Sequence, residues 1–253
     1  MKTIIAANWK MNKVRSEAQK TAKALREGIQ KASLPSDRSV FVFPPFLSLD
    51  VVAEAFQGQS KTVVGAQNFY PAASGAFTGE VSLDMLKDCG ATWVLVGHSE
   101  RRHVLHEDNA LIAEKTRFAL EHGFGVMLCI GETLEEREAG KLQEVLSSQL
   151  SSALAPLGFD RDRMQDSCII AYEPVWAIGT GKVAGEAEVT EAHALVKDIL
   201  ASVSQATKDL PVLYGGSVKP SNAHSLLQLA NVDGLLVGGA SLEAESFLQI
   251  ITA

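Results

Sequence analysis

Four stretches of this chain hold residue types that could act on a small charged molecule. Asn8-Trp9-Lys10 sets an ammonium group close to a side-chain amide, a pair suited to an anion or a developing oxyanion. Gly97-His98-Ser99-Glu100-Arg101-Arg102 places an imidazole beside Ser99, a residue type that caps helix starts well. The partial positive charge of a helix N-terminus disfavours protonating a nearby ring, so a neutral His98 that donates a hydrogen bond to a carbonyl oxygen is expected. Glu173 is followed by Pro174, Val175, Trp176, Ala177, Ile178, Gly179, Thr180, Gly181 and Lys182. Apolar side chains and two pivoting glycines between Pro174 and Lys182 read as a lid over a carboxylate base. Tyr214-Gly-Gly-Ser217 and Leu236-Val-Gly238-Gly239-Ala240 supply backbone amides of the kind that hold phosphate. Each stretch alone has a plainer explanation: a solvated lysine, a structural histidine, a packed loop, tight turns. Together they are harder to dismiss.

Such residues must be brought to one place by the elements between them. Short apolar runs recur at Thr3–Ala7, Val40–Phe43, Thr62–Ala66, Thr92–Val96, Gly125–Ile130, Cys168–Tyr172, Pro211–Tyr214 and Gly234–Val237. Runs of this length, several rich in β-branched side chains, suit strands buried on both faces. Helical spacing lies between them, with Ala18, Ala22, Leu25 and Ile29 on one face and Val189, Ala192, Leu195, Val196 and Ile199 on another. Thr133-Leu-Glu-Glu136 reads as a capping box. Strand then helix, repeated along residues 1–253 without a linker, predicts parallel strands with right-handed crossovers closed into a single-domain (β/α)8 barrel. A doubly wound open sheet satisfies the same pattern, because closure is not written in a sequence. In a barrel the loops after the strands converge, and all four chemical stretches fall there.

Composition narrows the functions. A net charge of −7 with no basic stripe argues against nucleic acid as partner. No stretch is long and apolar enough for a membrane span, and the apolar start ends at Asn8, short of a secretory signal. Three widely spaced cysteines make a disulfide framework improbable, so a cytoplasmic protein is expected. Gly179-Thr-Gly-Lys182 imitates nucleotide-binding loops, but it does not directly follow its strand and Trp176 stands where a P-loop needs glycine. His98, His103 and His106 do not make a metal set; the latter two are expected on a helix surface.

The strings Asn8-Trp-Lys10, Gly97-His-Ser-Glu-Arg-Arg102, Ala171-Tyr-Glu-Pro-Val-Trp-Ala-Ile-Gly-Thr-Gly-Lys182, Tyr214-Gly-Gly-Ser217 and Val237-Gly-Gly239 resemble the triosephosphate isomerases, in family order. Gly65-Ala-Gln-Asn68, Ser74-Gly-Ala-Phe-Thr-Gly-Glu80 and Leu128-Cys-Ile-Gly-Glu132 agree with this. The resemblance implies an aldose–ketose isomerase of glycolysis and gluconeogenesis acting on dihydroxyacetone phosphate and glyceraldehyde 3-phosphate, with no metal or organic cofactor. Glu173 would move the proton, neutral His98 would polarise the carbonyl, Lys10 would stabilise the enediolate and Asn8 would position the substrate. Amides at Gly179, Ser217, Gly238 and Gly239 would hold the phosphate. Lid closure would raise the basicity of Glu173 by removing water. A homodimer is also implied, with Thr78 reaching the partner's site. Two departures stand out: Val183 where a hydroxyl residue is frequent, and His106 where glycine is. A Schiff-base aldolase barrel is the competing enzyme class, although Lys10 follows the first strand rather than a middle one; a barrel kept only as a binding protein would not need all of these groups.

Overall fold

Alternating apolar side chains leave no polar face on any of the strands, so the sheet must be covered on both sides. The computed structural model, which describes residues 3–158, 160–177 and 184–253, shows how. Strands β1 (Thr3–Asn8), β2 (Arg38–Phe43), β3 (Thr62–Ala66), β4 (Trp93–Val96), β5 (Gly125–Ile130), β6 (Cys168–Tyr172), β7 (Val212–Tyr214) and β8 (Gly234–Val237) pair in parallel in chain order and close on themselves. Closure is made by β1 against β8, with Ile4 opposite Gly234 and Ala7 opposite Val237. The open-sheet alternative is thereby set aside: this is a single-domain (β/α)8 TIM barrel.

The strand period of two separates two cores. Ile4, Ala6, Phe41, Phe43, Leu95, Met127, Ile169 and Leu236 point inward and fill the barrel. Ile5, Ala7, Val40, Val42, Val94, Val96, Leu128 and Ile170 point outward against the helices. The helix Arg15–Ala32 buries Ala18, Ala22, Leu25 and Ile29, as its spacing predicts. Glu186–Val203 buries Val189, Ala192, Val196 and Ile199, but Leu195 is only half-buried and His193 takes a place in the core. The Thr133 capping box opens Leu134–Glu138. Among the described residues no helix is long and apolar enough to cross a membrane.

Two local expectations are corrected. Ser99 does not cap the helix Ser99–His103; the cap is His98, whose ring accepts the Glu100 amide. His106 is exposed as expected, but it lies beyond that helix in a left-handed turn with φ of 58°. Only glycine adopts that conformation freely, so His106 holds it at a steric cost.

Candidate functional site

All parallel strands of a barrel end on the same side, so the residues just beyond each strand share one rim. Asn8 ends β1, His98 lies two residues after β4, Glu173 comes immediately after β6, Gly215 after β7 and Gly238 after β8. They meet at a cavity of about 350 Å³ whose walls include Asn8, Lys10, His98, Glu173, Gly215, Gly216, Ser217, Gly238 and Gly239. That size suits a small ligand rather than a polymer. Ile178, Gly179, Thr180, Gly181, Lys182 and Val183 lie outside the described residues.

The carboxylate of Glu173 is buried, and both of its oxygens are engaged. Oε2 accepts the Ser99 amide at 3.0 Å, and Oε1 lies 3.1 Å from His98 Nε2. Burial by itself pushes the carboxyl pKa up; His98, the Ser99 amide and the Lys10 ammonium outweigh it, leaving it below the ordinary glutamate value. In this arrangement the Glu173 carboxylate is therefore not made more basic by its burial, contrary to what burial alone predicts.

His98 is placed by the helix it caps. Its Nδ1 accepts the Glu100 N–H at 3.2 Å, which requires a bare lone pair on that nitrogen. The ring proton of the neutral form is then on Nε2, aimed at Glu173 and the cavity. His98 itself, rather than Ser99, is thus the cap of this short helix.

Lys10 adopts φ of 51°, a conformation secured by its own amide donating to Asn8 Oδ1 at 3.0 Å. Gln67 adds a second hold, its Nε2 donating to the Lys10 and Phe43 carbonyls at 2.9 Å each. The Lys10 ammonium meets Glu100 Oε1 at 2.6 Å, giving that glutamate a position and a partner. Across the cavity, the Gly238 position is close enough that a side-chain carbon there would sit 3.6 Å from Lys10 Cε. Gly239 opens a 3-10 turn, Gly239–Ser241, and no described residue comes within 4 Å of where a side-chain carbon would stand there. Ser217 anchors the stretch that follows Glu173, its hydroxyl donating to the Ala177 carbonyl at 2.9 Å.

Pro174 and Ala177 are buried, while Val175 and Trp176 are half-buried in a short 3-10 turn. Trp176 Nε1 donates to Glu132 Oε1 at 2.8 Å, and the Tyr172 hydroxyl donates to the same carboxylate at 3.1 Å. Burial raises the Glu132 pKa, opposed by these donors and by Arg137. Glu132, Gln67 and Arg102 stand in strings that the sequence singles out without giving them a task. Gln149 carries no such signal. Arg102 donates to the Gly97 and Cys129 carbonyls, and Gln149 brackets Gly131.

A buried glutamate beside a histidine, an ammonium and two glycine-rich strand ends, in this order around one barrel, can be compared with known proteins. The family model described as Triosephosphate isomerase matches residues 3–253. The chain belongs to the triosephosphate isomerase family. It is therefore an isomerase by family, and its barrel is that family's. Among relatives named Triosephosphate isomerase, one from Nitratidesulfovibrio vulgaris (strain Miyazaki F) is 54% identical over the whole of both chains. One from Lawsonia intracellularis is 52% identical, covering all of this chain and 98% of its own. One from Chlamydia trachomatis serovar D is 48% identical over 99% of this chain and 89% of its own.

Proposed function

We propose that this chain interconverts dihydroxyacetone phosphate and glyceraldehyde 3-phosphate, a step of glycolysis and gluconeogenesis, using its own side chains and no cofactor. The observation that carries this reading is the 3.1 Å approach of His98 Nε2 to the Glu173 carboxylate at a cavity shared with Lys10 and Gly238–Gly239. A substrate carbonyl oxygen takes the place of Glu173 Oε1 on the imidazole N–H. The displaced carboxylate then faces the neighbouring C–H, removes its proton and returns it to the adjacent carbon, while the His98 imidazole passes the hydroxyl proton from one oxygen to the other. Lys10 opposes the charge that grows on the enediolate oxygens, and Asn8 fixes Lys10 through its amide. The phosphate lies against the amides of Ser217, Gly238 and Gly239, joined by Gly179 when the segment Pro174–Lys182 closes as a lid. These fixed dipoles explain how a chain of net charge −7 accommodates a dianion.

A homodimer in the cytoplasm completes the reading. Met11, Leu47, Val104 and Leu105 are exposed apolar side chains on rim loops, of the kind a partner covers. Thr78 projects on the exposed stretch 73–80, suited to reaching a second copy. Cys89, Cys129 and Cys168 are free thiols, as a reducing compartment keeps them. The test is a coupled assay of triose phosphate interconversion with chelator present, alongside sedimentation. Full turnover by a dimer is expected; no turnover, or a fully active monodisperse monomer, overturns the corresponding part.

A further inference from the structure

Strand β5 continues past the point where its neighbour β4 stops. The final β4–β5 pair is Val96 with Leu128, so the Cys129 carbonyl and the Gly131 peptide groups that face that side have no β4 residue to bond. Two side chains take over. Arg102 Nη2 donates to the Cys129 carbonyl at 3.0 Å. Gln149, from the helix Leu142–Leu154, accepts the Gly131 N–H at 2.8 Å and donates to the Gly131 carbonyl at 3.0 Å. Its amide thus stands in for a missing strand residue. Gln149 is buried among Leu146, Leu150 and Ala153, where an apolar residue would serve packing alone.

The other side of the same segment carries the proposed base. The Glu173 N–H donates to the Ile130 carbonyl at 2.7 Å and the Val175 N–H to the Glu132 carbonyl at 3.0 Å. Between them Gly131 lies so close that a side-chain carbon would come within 1.8 Å of the Glu173 carbonyl oxygen. Glu132 then holds Trp176. The main chain of residues 173–175 can be no better fixed than residues 130–132, and the middle of that segment is gripped by Gln149.

We propose that Gln149 is a positioning residue for Glu173 and the residues 174–176 that follow it, acting through the Gly131 peptide groups without touching substrate. This rests on the reading of Glu173 as the base. The test compares Gln149→Met, which keeps length but neither hydrogen bond, with Gln149→Glu, whose ionised carboxylate can accept the Gly131 N–H but not donate to its carbonyl. Initial rates are taken well below the melting temperature and expressed per folded protein, with inorganic phosphate as a competitive inhibitor. Since misplacement by about 1 Å can cost about a hundredfold, kcat is expected to fall ten- to a hundredfold. The phosphate inhibition constant should stay within about twofold, because the Gly238–Gly239 side is not held by Gln149. A purely structural role would lower the melting temperature and leave kcat per folded protein unchanged, which overturns the proposal. So does a parallel loss of phosphate affinity, or failure of both variants to fold. Glu173→Gln in the same assay separates the two claims: if it stays active, the base assignment fails; if it alone is inactive, only the role of Gln149 fails.

Discussion

Gly215 gives a sensitive handle on how tightly the proposed base is held. A methyl group at this position would lie 2.8 Å from Glu173 Cγ and 3.3 Å from the Tyr172 carbonyl oxygen. Ordinary contact begins at 3.4 Å, so in Gly215→Ala either the Glu173 side chain or the loop must give by about 0.6 Å. The loop is tied, because the Gly215 N–H donates to the Tyr172 carbonyl at 2.8 Å. The side chain is therefore the part that moves, loosening its contacts to Ser99 and His98. Scaled from the rule that about 1 Å of misplacement costs about a hundredfold, kcat should fall roughly five- to fiftyfold. Coupled initial rates give kcat and KM, inorganic phosphate inhibition reports the anion site, and a thermal melt checks the fold. A folded variant with kcat unchanged would refute the idea that the position of Glu173 is set this closely.

The same geometry predicts two further outcomes. Lys10→Met removes the ammonium facing the cavity; at ~4 Å and an effective dielectric of ~20 such a charge is worth about 4 kcal/mol to an oxyanion, and allowing for its exposure and the Glu100 partner, kcat/KM should still fall at least about a hundredfold. A loss below about tenfold by steady-state kinetics would remove Lys10 from the chemistry. His193 is buried, and burial pulls its pKa from 6.5 to about 4, so the unfolded chain takes up a proton first as pH falls. The protein should lose on the order of 3 kcal/mol of stability through this group between pH 6.5 and 4. His193→Phe, which preserves the aromatic packing against Tyr172 and Tyr214, should lose correspondingly less in denaturant titrations; identical pH slopes would contradict this.

The barrel was legible because its strands are apolar on both faces, so eight runs stand out against polar connections. Strand ends then pointed to one rim, and Asn8, Lys10, His98, Glu173, Ser217, Gly238 and Gly239 do line one cavity. The features that escaped the sequence depend on distances that no local pattern carries. Serine is the common cap, so Ser99 was expected there; only the folded loop brings the His98 ring to the Glu100 amide first. The direction of the Glu173 pKa turns on groups contributed by different strand ends, not on the apolar residues that follow it in the sequence. Gln149 looks like a stray polar residue on an apolar helix face, and its partner Gly131 matters only because β4 is shorter than β5. Glu132, entirely buried, could be noticed in its string but not connected to Trp176 and Tyr172 without the fold.

The most direct test of the central claim is the turnover of Glu173→Gln, an isosteric change that keeps an oxygen to accept the Ser99 amide and removes the carboxylate. A positioned general base is worth about 10²–10⁴ in rate, so kcat should fall by that order while inorganic phosphate still binds and the melting temperature barely moves. A folded Glu173→Gln protein that interconverts triose phosphates at the unaltered rate would contradict it.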